Sequence, residues 1–201
     1  MDCQTHAHNG FARTDDSATM ACMDAQVVEV DIRVEGHDDG PPVIDHLNGA
    51  RYCRLSWPSG AGPPSRRGVY MWLSNDFRVL YVGKATSNSK SHLYRRITAY
   101  KRATPGKTQW TSLRINTDIL EFTEQGGRIR LLCLVMSDAD PDDVTSAEEA
   151  LINRARPPWN RQGNLHPRAV EDAMKLEEIL MIDPERGWPT TVRIPTQGLP
   201  D

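Results

Sequence analysis

Two β-rich runs held four residues apart constrain this chain more than any other feature: 68–73 (GVYMWL) and 78–83 (RVLYVG), with Ser74, Asn75, Asp76 and Phe77 between them. Branched and aromatic side chains interrupted by a polar loop of that length specify an antiparallel hairpin. A four-residue loop makes Leu73 face Arg78, and that register sets Tyr70 directly opposite Tyr81, with two phenols sharing a face. The run 128–136 (RIRLLCLVM) becomes apolar on both faces toward its end, as a central strand does. Helical stripes recur at 92–103, where Leu93, Ile97 and Tyr100 align, and at 145–156, which Pro157 and Pro158 stop. A last helix is expected at 167–181 and a short edge strand at 190–194.

The flanks read differently. Residues 1–25 mix polar and acidic types without periodicity and are expected to form a flexible acidic tail. In 28–34, Val28, Val30, Ile32 and Val34 alternate with polar residues, as in a half-buried strand. This strand and the Gly/Pro linker at 59–64 (SGAGPP) make 26–65 an N-terminal appendage. The main domain then spans 66–163, and 164–201 supplies a C-terminal helix and short extension. The expected fold is α/β of the α+β type, with a small, mainly antiparallel, three-stranded sheet flanked by helices in the order β-β-α-β-α.

No apolar run approaches the roughly 18 residues of a bilayer-spanning helix, and no secretory signal is expected from residues 1–9, which carry no Lys or Arg and lead into no apolar stretch. Four cysteines without a Cys-x-x-Cys pair suit reduced thiols, and Cys3, His6, His8 and Cys22 match no usual zinc spacing. A cytoplasmic protein without membrane contact is expected. The net charge of −3 hides a sharp segregation. Residues 66–116 carry 11 basic side chains and one acidic, Asp76, whereas 1–50 carry 2 and 10 and 117–201 carry 9 and 16. The basic block has the character of a nucleic-acid binder. Trp72, Trp110 and Trp159 could stack bases or simply fill a core.

Two charged side chains stand where an ordinary amphipathic helix would not put them. On the 145–156 helix Glu148 lies about 60° from Leu151, inside the apolar arc, whereas Glu149 lies about 160° away, toward water. An inward carboxylate must be paired, hydrogen-bonded or bound to a cation. A capping box accounts for it equally well, because Thr145 and Ser146 each stand three residues before a Glu. On the 92–103 helix Arg96 borders the buried stripe about 60° from it, poised to aim its planar fork at a phosphate or simply to snorkel. Arg95, Lys101 and Arg102 can touch a nucleic-acid backbone farther out.

Taken in order, these elements resemble the GIY-YIG nuclease superfamily. Gly68-Val69-Tyr70 and Tyr81-Val82-Gly83-Lys84-Ala85 are similar to its two-part signature. The segment from Leu93 to Tyr100 resembles the family helix, with Arg96 before an aliphatic residue and Tyr100 four later. Glu148 with Pro157 nine and Asn160 twelve residues on is similar to the family's metal-binding Glu and terminal Pro-x-x-Asn. The wording is closest to the incision domain of bacterial excision-repair nucleases and, at Pro-x-Trp-Asn, to GIY-YIG restriction endonucleases. The likeness covers 66–163 and implies a metal-dependent DNA endonuclease, restriction-type or stand-alone. The alternatives are a repair incision nuclease and a non-catalytic nucleic-acid-binding module. It implies one Mg²⁺ or Mn²⁺ on Glu148 serving the leaving group, with Arg96 on the scissile phosphate. It further implies that Tyr70 and Tyr81 position or deprotonate water, helped by the Lys84 cation, that Tyr100 orients water, and that Asn160 ties its loop to the site.

Overall fold

The computed structural model describes residues 22–35, 43–44, 51–101, 110–161, 168–182 and 186–195. Residues 1–21 of the tail expected at 1–25, with Cys3, His6 and His8, lie outside them, as does Arg102. The elements run β1 (Cys22–Val30), β2 (Arg33–Glu35), β3 (Val43–Ile44), β4 (Arg51–Tyr52), β5 (Arg54–Ser56), β6 (Gly68–Ser74) and β7 (Val79–Ala85). There follow α1 (Leu93–Lys101), α2 (Trp110–Glu124), β8 (Ile129–Val135), α3 (Pro141–Ala155), a 3₁₀ turn (Val170–Asp172), α4 (Leu176–Leu180) and β9 (Thr191–Pro195).

A strand apolar on both faces needs a neighbour on each edge, and β8 has β6 on one side and β1 on the other. The main sheet is therefore five-stranded, in the order β7-β6-β8-β1-β9, with every pairing antiparallel. This corrects the three-stranded expectation: the N-terminal strand lies inside the main sheet, and β9 forms its far edge. β1 begins at Cys22, so 22–25 belong to the sheet, and Ala25 is buried. The single strand expected at 28–34 divides at Asp31 and Ile32, because β2 leaves to pair with β5.

The hairpin register also differs. Ser74 N–H donates to Arg78 O, so the loop has three residues and ends at Phe77, whose φ of 62° is left-handed. A bulge then places Leu73 opposite Val79 but Trp72 opposite Tyr81. Tyr70 consequently faces Gly83, and Tyr81 is its diagonal neighbour on the same face. The helix expected at 167–181 shrinks to α4 and the 3₁₀ turn, because the hairpin tip claims the backbone between them. Val79 N–H donates to Met174 O, Leu176 N–H to Phe77 O, and the Arg78 guanidinium to Glu171 O and Ala173 O.

Both faces of the sheet are covered. Val69, Met71, Val82 and Leu134 pack with Leu151 of α3 and Ile179 of α4. Tyr70, Trp72, Tyr81 and Cys133 pack with Leu93, Ile97 and Tyr100 of α1 and Ile115 and Ile119 of α2. Trp72 and Trp159 are core side chains. α2 lies where the sequence pattern predicts no element, and Asn116 of that helix is fully buried. Its amide accepts from Cys53 N–H at 2.8 Å and donates to Cys53 O and Tyr100 O at 2.9 and 2.8 Å. Every buried amide atom is thereby used, and the end of α1 is tied to β5's approach.

Candidate active site

β7 is an edge strand, and its two faces send alternate side chains toward different helices. Tyr81 and Gly83 face α1, whereas Val82 and Lys84 face α3. On the α1 side Tyr70, Tyr81 and Tyr100 cluster: the Tyr70 ring lies 6.1 Å from each of the other two, and the Tyr70 and Tyr100 hydroxyls are hydrogen-bonded at 2.5 Å. Gly83 makes the cluster possible, since a Cβ there would lie 2.5 Å from the Tyr70 hydroxyl and 2.8 Å from Cε1 of Tyr81. Arg96 adjoins the same phenols. Burial works against its charge, and Tyr70, Tyr100 and Tyr81 offset that and hold it firmly protonated.

On the α3 side, Lys84 Nζ lies 2.8 Å from Glu148 Oε2, with side-chain exposures of 31% and 16%. α3 starts at Pro141, so Glu148 sits within the second helical turn and caps nothing. Asp143 accepts the Asp140 N–H at the true start, while Thr145 and Ser146 donate back to Pro141 O and Asp142 O. The capping explanation for an inward Glu148 is thereby removed, and Glu149 is exposed as expected. Burial raises the Glu148 pKa, Lys84 opposes that, and the Arg96 charge is close enough to favour the carboxylate as well.

The loop after α3 seals the rest of that edge. Trp159 N–H donates to Leu80 O, and the Asn160 amide pairs in both directions with Val82, at 2.8 Å each way. Asn160 is buried, and both ends of its amide are spent on the strand. It therefore ties its loop to β7. Arg95 is exposed on α1, and Lys101 is that helix's last residue.

Two expectations change. Burial and the neighbouring phenols push the Tyr70 hydroxyl well above its ordinary pKa, and burial likewise raises Tyr100. Lys84 does not depress them, because strand alternation commits it to Glu148 on the opposite face. Both phenols therefore hold their protons at neutral pH. The thiols follow the same rule: burial pushes Cys53 up to about 12 and raises Cys133 too. A folded-state pKa above the unfolded one means stability that is complete below the unfolded pKa and lost as pH climbs toward the folded one. Each fully buried group then costs up to about 1.4 kcal/mol per pH unit above its unfolded pKa of about 9 to 10. Urea melts are expected to stay level to pH 8 and weaken steeply from pH 9 to 11, with Tyr100→Phe flattening the fall. A level profile to pH 11 contradicts the buried, protonated cluster.

Among the described residues no three His, Cys, Asp or Glu side chains gather as a metal cluster, and no helix is long and apolar enough to cross a membrane. A cation at this edge would have Glu148 as its protein carboxylate. That donor set suits Mg²⁺, which keeps several waters and takes one or two carboxylates with substrate phosphates. No family model, curated protein or solved structure matches the chain.

Proposed function

We propose that the chain is a divalent-metal-dependent DNA endonuclease, restriction-type or stand-alone, of the GIY-YIG kind that its motifs resemble. The observation that carries the reading is an inward Glu148 that caps no helix and pairs with Lys84 at 2.8 Å on β7, the edge strand whose other face holds three clustered phenols. The basic block supports a polyanionic substrate, and its lone carboxylate, Asp76, is already spent on Ser74 and Arg78.

Phosphodiester hydrolysis needs a placed water, charge relief on the phosphate and relief for the leaving 3′ oxygen. Arg96 offers a charge-assisted fork to the scissile phosphate, and the protonated Tyr70 and Tyr100 keep that fork oriented. Tyr81, the least buried of the three phenols at 6% exposure, orients the attacking water. Lys84 keeps Glu148 ionised. A divalent ion held by Glu148, when bound, would neutralise charge on the leaving oxygen.

The closed Lys84–Glu148 pair favours a second reading, a nucleic-acid-binding module that cuts nothing. Supercoiled plasmid separates the two. Nicking with Mg²⁺ or Mn²⁺ that stops in excess EDTA is expected. Cleavage that persists in EDTA overturns the metal mechanism, and salt-sensitive binding without cleavage selects the module.

A further inference from the structure

Tyr94 is 41% exposed, one of two large apolar side chains that stand open among the described residues. It is not isolated. Trp57 meets its ring edge-on at 6.0 Å, and His92 lies beside it at 6.2 Å with the rings tilted by 30°. The backbone fixes all three. Tyr94 and Leu93 N–H groups donate to Pro64 O and Arg66 O, which brings the Gly/Pro linker against α1. His92 Nδ1 accepts the Arg95 N–H. Gly62 lies so close under the indole that a Cβ there would come within 2.5 Å of Trp57 Nε1. Tyr94 thus presents a braced aromatic surface to solvent, with Trp57 and His92 half-buried against it and Arg66, Lys90 and Arg95 exposed on the neighbouring chain. Asp76 is the single acidic residue between positions 46 and 117.

We propose that this platform stacks an unpaired nucleobase next to the scissile phosphate, so that the preferred substrate is a strand that is single or splayed there. The inference rests on the nuclease reading for its second half only. Apolar aromatic area with cations around it matches a base and its phosphates, since every base has a π-face and every linkage a negative charge. Tyr94 and Arg96 lie two residues apart and on opposite flanks of α1, with Arg95 on the ridge between them. A backbone passing from one flank to the other crosses a helix about 10–12 Å wide, a span of one or two nucleotides. In a paired duplex that base is covered by its neighbours and cannot lie on Tyr94.

The test is made in EDTA, where no cleavage intervenes. A labelled single strand carrying 5-iodouracil is titrated against the full chain, then irradiated, and the crosslinked residue is mapped by mass spectrometry. The wild type is expected to bind the single strand more tightly than the matching duplex and to crosslink at Tyr94. Tyr94→Ala is expected to weaken binding about tenfold, the loss of one base–aromatic stack, whereas Tyr94→Phe retains it. Equal binding by Tyr94→Ala and wild type, or equal affinity for duplex and single strand, overturns the proposal. Stacking found together with no Mg²⁺-dependent nicking keeps the platform and removes the nuclease reading; nicking without Tyr94-dependent binding does the reverse.

Discussion

Glu148→Gln is expected to abolish Mg²⁺-dependent nicking of supercoiled plasmid, a loss of at least about a thousandfold, while the thermal midpoint moves by a few degrees at most. Glutamine preserves the shape of a side chain that is 16% exposed in α3 and removes only its charge. Lys84 then loses its partner, but at 31% exposure it reaches water, so little folding energy follows. Arg96→Ala is expected to have an equal effect on cleavage, and Arg96→Lys to recover little, because an ammonium keeps the charge without the planar fork. Glu149→Gln, one residue further along and exposed, serves as the control and retains activity. Glu148→Gln nicking at the wild-type rate would leave the inward carboxylate without a catalytic role and overturn the metal mechanism built on it.

The parts of this fold that could be read from the sequence are those whose pattern is local. The β6–β7 hairpin, the two-sided β8 and the stripe Leu93, Ile97 and Tyr100 each follow from neighbouring side chains, and all three stripe residues are fully buried. The inward placement of Glu148 followed from helical angle alone. Elements fixed by distant partners could not be read this way. The Tyr70 register depended on a left-handed Phe77 and a bulge opposite the Trp72–Leu73 step, each shifting the pairing by one. The C-terminal helix lost its first half to hydrogen bonds with a hairpin tip some ninety positions earlier. The helix α2 mixes Thr, Asn and Ser into its buried side, which blurs its periodicity, and Asn116 is legible only once Cys53 and Tyr100 are beside it. At the site, the pairing of Lys84 with Glu148 follows from the even-numbered face of β7. Alternation in the sequence already placed Lys84 opposite Tyr81's face, and that was the signal against its acting on the phenols.

Gly83→Ala is the second large effect, and it tests the phenol cluster without touching a charged group. Gly83 has no need of an unusual backbone angle; what it supplies is space. A methyl there would lie 2.5 Å from both Cζ and the hydroxyl of Tyr70 and 2.8 Å from the Tyr81 ring. Tyr70 is fully buried and bonded to Tyr100, which is fully buried too, so neither ring has a direction in which to yield. Overpacking of this kind costs about 1–3 kcal/mol, and relief requires breaking the Tyr70–Tyr100 bond that steadies Arg96. The expected result is a clearly lowered thermal midpoint and nicking reduced by about a hundredfold or more, the scale of losing one oriented charge-stabilising donor. Adding Tyr70→Ala to Gly83→Ala removes the nearest clash but opens a cavity and leaves Tyr81 Cε1 at 2.8 Å, so the doubly substituted chain should stay destabilised, and inactive because the guanidinium has lost its guide. If the double variant regains both stability and cleavage, Tyr70 only fills space. If Gly83→Ala alone leaves the midpoint and the activity unchanged, the phenols do not pack over that glycine, and the orientation of Arg96 must be sought in other contacts.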